Sequence, residues 1–337
     1  MPKTFARLLL SLLLPTILLL SAASAAPSQE PFKVGYVRVM DDAQVILAYE
    51  AGLYAQYGLD AELVEFASGT DLIKAIVGGQ LDLGVLGFSN AFTWVSRGAD
   101  LKIVGGAQMG YHAILARKDS GIHTVADLAG HTLASQKEGS TADIVLKGVT
   151  LADAGLSPKD LNILGVAPAV AVQSLVSGRV DAAFLFEPYD RIARLVAPVE
   201  KIYQIGEVWP FPCMVAITSS KTLEARPDAI HAALDAQADA IDMLETNPRK
   251  AAGYIAGYFI AEPTLDTLEQ GAVPREDVIT QAIKTQAFSP YLTDENIARM
   301  KELEAIMKDQ GVLQSDIDVD AILDLSWQRA RQSQAAR

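Results

Sequence analysis

The residues of this chain best placed to do chemistry lie at 137–143, Lys-Glu-Gly-Ser-Thr-Ala-Asp. A short apolar strand expected at 132–136 runs into this loop, and an amphipathic helix runs out of it towards Gly155. Ser140 stands at the N-cap position and Asp143, three residues later, completes a capping-box spacing. Gly155, with Pro158 just beyond, supplies the stop. Backbone N–H groups at such a junction point outward with the positive end of the helix behind them, which makes a seat for an anionic group. Gly139, Ser140 and Thr141 are therefore candidate ligand contacts; the same residues would also serve as a plain cap. The sequences G-x-S-x-G, G-x-x-x-x-G-K-[ST] and H-E-x-x-H do not occur, so no enzyme activity is expected. No pair among His112, His123, His131 and His231 has metal-ligand spacing, so neither a metal site nor a cofactor is expected. The single cysteine, Cys213 in PFPCMVAI, reads as a core residue.

The elements that must position this loop follow an α/β pattern. Strands are expected at 33–39, 59–66, 81–87 and 101–108, with helices at 43–57, 71–77 and 91–96 between them, as βαβ units in a mainly parallel sheet require. Two stretches share one plan: 73–88 (IKAIVGGQLDLGVLGF) and 172–186 (VQSLVSGRVDAAFLF). In each, a helix ends at Gly79 or Gly178, an aliphatic residue and Asp82 or Asp181 follow, and an apolar strand ends in an aromatic. The repetition implies two lobes of similar layout. The chain is expected to cross between them near 117–121 and to return near 213–220, giving one lobe from 27–117 plus 218–337 and another from 118–217. After Lys221 the pattern turns helical, with helices expected at 227–246, 248–258, 276–286, 294–310 and 321–331, packed on the first lobe.

Residues 1–26 read as a secretory leader. Lys3 and Arg7 precede an apolar run at 8–20, and Ala23-Ser24-Ala25 gives an A-x-A pattern with cleavage near Ala25 or Ala26. The run is short for a membrane span. Export to the periplasm is therefore expected, and the remaining chain of about 310 residues has room for two domains. The formal net charge of -13, without a basic cluster, argues against nucleic acid and anionic membranes.

With these segments placed, the chain resembles the ABC-transporter substrate-binding proteins of the sulfonate/nitrate/taurine type, the group also called SsuA/THI5-like or NMT1-like. The stretches that carry the resemblance are AYEAGLYAQYGLDAELVEFASGTDLIKAIVGGQLDLGVLG (48–87), GADLKIVGGA (98–107), RKDSGIHTVADLAGHTLASQKEGSTAD (117–143) and LVSGRVDAAFLFEPYDRIA (175–193). The resemblance implies a type II periplasmic-binding-protein fold: two doubly wound α/β lobes joined by two crossing segments, with extra C-terminal helices. It implies a monomer that closes on a small organic anion or zwitterion, sulfonate- or taurine-like, and hands it to ABC permease transmembrane subunits with a cytoplasmic ATPase. A thiamine-precursor pyrimidine, a nitrate-like anion and a periplasmic ligand-sensing role are the alternatives.

In such a fold the ligand sits outside the carboxyl ends of the strands. The candidates there are Asp41, Asp42 and Gln44 after the first strand, Ser68, Gly69 and Thr70 after the second, and Phe88, Ser89 and Asn90 after the third. In the second lobe they are Gly139, Ser140 and Thr141. Neutral hydroxyls and helix-end N–H groups suit a sulfonate. Tyr111 and His112 follow the fourth strand. Glu187 and Tyr189 match the family's Trp-Glu-Pro-aromatic step, with Phe186 replacing the tryptophan and Pro188 expected at N1 of the next helix. Glu187 either accepts from an amine on the ligand or locks the hinge. Phe88, Tyr111, Phe186, Tyr189 and Trp209 are candidates for apolar walls. Asp143 stands where the family often has histidine; as a cap it stabilises the helix, and turned to the ligand it would oppose an anion.

Overall fold

The computed structural model describes residues 30–335, so the expected leader lies outside the described residues. Among the described residues twelve strands run in chain order: β1 (Phe32–Val37), β2 (Ala61–Phe66), β3 (Leu83–Gly87), β4 (Leu101–Met109), β5 (Ala113–Arg117), β6 (Thr132–Ser135), β7 (Asn162–Gly165), β8 (Ala182–Leu185), β9 (Val199–Gln204), β10 (Pro212–Ser219), β11 (Thr264–Thr267) and β12 (Gly271–Pro274). Ten of them form two five-stranded sheets, ordered β2-β1-β3-β10-β4 and β7-β6-β8-β5-β9, and β11-β12 is a separate hairpin. In the first sheet β1 pairs parallel with β2 and β3, while β10 runs antiparallel between β3 and β4. In the second, β6 pairs parallel with β7 and β8, and β5 runs antiparallel between β8 and β9. The two sheets thus share one plan, each holding a single antiparallel strand lent by the chain as it arrives from the other. Each sheet with the helices packed on it is here called a lobe.

The passages between sheets lie in residues 110–112 and 205–211, because β5 belongs to the second sheet and β10 to the first. The crossing expected at 117–121 follows β5 instead of preceding it, and the one expected at 213–220 coincides with β10 itself. Apolar strand-like runs at both places gave no sign of which sheet they join. The two passages lie side by side, with Gly110 N donating to Phe211 O (2.8 Å) and Ile205 N to His112 O (2.9 Å).

The internal repeat has a physical basis. Helices Gly69–Val77 and Pro168–Val176 each lead, through Gly79 (φ 69°) and Gly178 (φ 68°), into the third parallel strand of their sheet. A left-handed residue after the helix lets the chain reverse at once, and glycine adopts it without strain. Asp82 then clamps the start of β1: its N–H donates to Lys33 O (3.0 Å) and its carboxylate accepts from Lys33 N (2.8 Å). Asp181 does the same to Thr132 at the start of β6, at 3.0 and 2.8 Å.

Both faces of each sheet are covered, which is why the central strands are apolar throughout. The first sheet is flanked by one core containing Val34, Leu83 and Ile230 and by another containing Leu86, Val215 and Met300. The second has cores around Leu133 and Phe184 and around Leu185 and Leu175. The C-terminal helices Pro227–Thr246 and Pro248–Phe259 pack on the first lobe as expected, burying Ile230, Leu234, Ile241 and Ile255. Helix Asp294–Asp309 reaches further: Gln310 at its end donates to Ile144 O (3.0 Å) in the second lobe. The helix expected at 43–57 is divided into Ala43–Glu50 and Leu53–Gln56 by Gly52, and Pro188 is the N-cap of helix Tyr189–Val196, one position before N1. Among the described residues, no helix is long and apolar enough to cross a membrane.

Candidate ligand-binding site

A cavity of about 320 Å³ lies between the two sheets. Its walls are the chain just beyond the carboxyl ends of the parallel strands: Val39 and Asp41 after β1, Ser68, Gly69 and Thr70 after β2, Gly87 and Asn90 after β3. From the second lobe come Gln136, Lys137, Glu138, Ser140 and Thr141 after β6, Val166 and Pro168 after β7, and Phe186 after β8. His112 arrives from the first crossing, and Cys213 and Met214 from the start of β10. A parallel sheet ends its strands at the mouths of helices, so side chains from six loops converge without any one of them being strained into place.

The hydroxyl groups are held by local caps. Ser68 caps helix Gly69–Val77, accepting from Asp71 N (3.3 Å) and donating to Asp71 Oδ2 (2.8 Å). Ser140 accepts from Asp143 N (3.2 Å), the expected N-cap bond, at the start of helix Thr141–Val145. Asp143 is buried and turns back: one oxygen accepts from Gly139 N (2.9 Å), and Lys147 Nζ closes on its carboxylate at 2.8 Å. It therefore neutralises the loop from behind and does not face the cavity. The two lobes touch at the helix starts, where Ser89 Oγ and Thr141 Oγ1 lie 2.6 Å apart. Only one hydroxyl of that pair donates to the other, so one O–H stays uncommitted. Lys137 is the one cation among the lining residues, with Asp41 and Glu138 the two carboxylates.

The floor has a different character. Asp41, His112 and Cys213 are each only 2% exposed, and their oxygen, nitrogen and sulfur atoms lie within 4.8 Å of one another. Asp41 Oδ1 and His112 Nδ1 have no hydrogen-bond partner. Burial raises the Asp41 carboxyl to about 8, with the Glu187 charge adding to the effect. Burial alone lowers the His112 imidazole to about 4, and burial first, then the charges of Asp41 and Asp42, raises the Cys213 thiol. The imidazole plane is fixed by stacking on Phe184 (5.4 Å between centroids) and by the edge contact with Phe186 (5.6 Å). Motif spacing gave no hint of this trio, because the turn after β1, the first crossing and the start of β10 supply one residue each.

Of the residues singled out from the sequence, Asp41, Ser68, Gly69, Thr70, Asn90, His112, Ser140 and Thr141 line the cavity. The others do not. Asp42 is fully buried, its Oδ2 accepting from Val37 N (2.7 Å), so it closes the turn after β1. Gln44 is buried in helix Ala43–Glu50 with neither amide atom paired. Phe88 is core, packed edge-on against Phe92 (5.0 Å). Ser89 acts through Thr141. Tyr111 lies in the first crossing segment against Gly206 of the second, and Gly139 opens on a separate, more open depression of about 420 Å³ beside Ile306 and Gln310.

Glu187 is buried away from the cavity. It accepts from Thr285 Oγ1 (2.9 Å) and Arg191 N (3.2 Å), and Arg194 lies at 3.6 Å. Burial, reinforced by the Asp190 charge, raises it to about 7. Of the two roles open from sequence, the geometry is that of a tie between helix Tyr189–Val196 and helix Arg275–Lys284. Tyr189 packs on Phe186, and Trp209 on Phe211, so Phe186 alone of the expected aromatics reaches the cavity. Gln136 and Glu138 were missed: both lie in the loop between β6 and Gly139, where no residue type or spacing set them apart.

A family model described as the NMT1-like family matches residues 25–258. The chain belongs to the NMT1-like family. Among its relatives is a protein of Brucella abortus (strain 2308) named as a binding protein, 25% identical over 233 residues, which cover 68% of this chain and 71% of the relative. An Escherichia coli K12 protein named for binding aliphatic sulfonates is 32% identical over 178 residues, 52% of this chain and 54% of that one. Among solved structures, the alkanesulfonate-binding protein SsuA of Xanthomonas axonopodis pv. citri, bound to MOPS, superposes with a TM-score of 0.75. It is 23% identical, over 89% of this chain and 100% of that one. This NMT1-like chain thus has the periplasmic-binding-protein fold.

Proposed function

We propose that this protein is the solute-capturing subunit of an ABC importer, exported to the periplasm, and that it holds a small organic anion or zwitterion of the sulfonate type between its lobes. The observation that carries the reading is the cavity itself: both lobes contribute helix starts and hydroxyls to one enclosure of about 320 Å³, the lower end of the size of small-molecule sites, about 300–1,000 Å³. Ser68, Thr70, Asn90, Ser140 and Thr141, with the N–H groups of two helix starts and Lys137, complement a negative charge from several directions. Asp41 and Glu138 offer acceptors to an amine on the same solute. The family membership and the relatives named for sulfonate binding support this choice of class. A solute touching both lobes favours their closed arrangement, and permease subunits would read that arrangement.

The test is binding of taurine and alkanesulfonates by the mature protein, followed by thermal shift and calorimetry. A ligand at about 100 times its dissociation constant stabilises by about 2.7 kcal/mol. Ser140→Ala with Thr141→Ala should weaken binding more than tenfold with the fold intact. Unchanged affinity in the double variant, or no stabilisation of the native chain by any sulfonate, would refute the reading.

A further inference from the structure

We propose that Asp41, His112 and Cys213 form a three-ligand site for a divalent transition metal of the zinc type, on the floor of the cleft, with the fourth position open to the cavity. A carboxylate oxygen, an imidazole nitrogen and a thiol sulfur within 4.8 Å of one another are within the small movement needed to surround one ion. Zinc bonds of about 2.0–2.3 Å bring such ligand atoms together from opposite sides of the metal. The mixed oxygen, nitrogen and sulfur set selects a borderline ion over calcium or magnesium, which take oxygen ligands. All three residues line the cavity, so an ion held by them faces it.

Two buried atoms beside the cavity stand without partners. Asp41 Oδ1 and His112 Nδ1 have none, whereas Asp190 is held by Arg194 at 2.6 Å, Glu187 by Thr285, and Asp143 by Gly139 N and Lys147; Asp42 also keeps an unpaired Oδ1, but its other oxygen accepts from Val37 N and it lies off the cavity. A buried polar atom without a partner costs free energy that a cation would recover. The frame is also built before any ion arrives. Phe184, Phe186 and Phe211 hold the imidazole; paired backbone holds His112, whose O accepts from Ile205 N, and the residues on either side of Cys213, Pro212 and Met214, which pair with β4. On binding, the Cys213 S–H and any protonated Asp41 lose their protons to solvent, and sulfur and oxygen donate to the ion. No oxidation is involved. The ion would fasten the turn after β1 to the first crossing and to the start of β10, and it would leave Glu138 as the carboxylate available to an amine on the solute.

This site goes beyond the solute reading and is tested without any solute. Untagged protein stripped with a chelator is titrated with cobalt(II) as a spectroscopic probe and with zinc(II) by competition. The expected result is one ion per chain, a thiolate-to-cobalt charge-transfer band, tetrahedral ligand-field bands, and loss of both on adding zinc. Cys213→Ser should abolish the charge-transfer band, and His112→Ala and Asp41→Asn should each weaken zinc binding by more than tenfold. Asp41→Asn is nearly isosteric and keeps the test decisive should a core change at Cys213 impair folding. Failure of the native chain to take up cobalt, or uptake with unchanged spectrum and affinity in Cys213→Ser and Asp41→Asn, would overturn the assignment. Silence towards sulfonates with cobalt uptake intact would refute the solute reading alone.

Discussion

Gly87 sits where the two lobes meet, and adding one methyl group there should hold them apart. A Cβ built on Gly87 would lie 2.2 Å from Thr141 Oγ1 and 3.2 Å from Thr141 Cβ, while its nearest neighbour within its own lobe, Asn90 Nδ2, is at 3.5 Å. The Gly87 backbone (φ -57°, ψ 129°) is open to any residue, so alanine strains nothing in the first lobe. The whole cost therefore falls on the contact across the cleft. Thr141 Oγ1 must retreat by about 1 Å, and any rotation that removes it also breaks its bond to Ser89 (2.6 Å). Forcing a methyl into a packed contact costs about 1–3 kcal/mol, which corresponds to about a five- to 150-fold loss of affinity for a ligand that needs the lobes together. The assay is calorimetric titration of Gly87→Ala with the alkanesulfonate that stabilises the native protein, with small-angle scattering of both proteins. Affinity should fall, the ligand-bound scattering should indicate a wider molecule, and unfolding in urea should change little. Thr141→Ala in the same chain removes the clashing oxygen and should make the two changes less than additive. Native affinity and native scattering in Gly87→Ala would refute the idea that this contact limits closure.

Asp82→Ala removes the acceptor for Lys33 N and the ion pair with Arg226 at 2.8 Å; with an N–H left unpaired it should lower stability by about 1–3 kcal/mol in urea unfolding. Asp181→Ala should act in the same direction in the second lobe, and equality of both variants with the native protein would show that the clamp is dispensable. Trp327→Ala, which removes a side chain 4% exposed and stacked on Tyr291 at 5.9 Å, should cost about 3–5 kcal/mol. A loss under 1 kcal/mol there would mean that the C-terminal helix Ser326–Ala335 does not secure the first lobe.

The alternation of strand and helix was legible in the chain, because a parallel sheet covered on both faces demands short apolar runs between amphipathic ones. The doubled layout was legible too, since Gly79 with Asp82 and Gly178 with Asp181 do the same local work at the start of each third strand. Ser140 was legible as a cap for the same reason: its bond to Asp143 N spans three positions, whereas the cap at Ser68 emerged only from the structure. What the sequence could not determine was anything that depends on which strand lies beside which. The runs at 113–117 and 212–219 look alike in composition, and only the pairing of β5 with β8 and of β10 with β3 sends each to the opposite sheet and moves the crossings to 110–112 and 205–211. Packing between distant helices likewise sets Glu187, which accepts from Thr285 at the end of a helix, 98 positions further on. The strand exchange also brings Asp41, His112 and Cys213 together. Local bonding rules act over a few residues and are written in the chain; convergence of three side chains from distant segments is a product of sheet order, which only the packed structure sets.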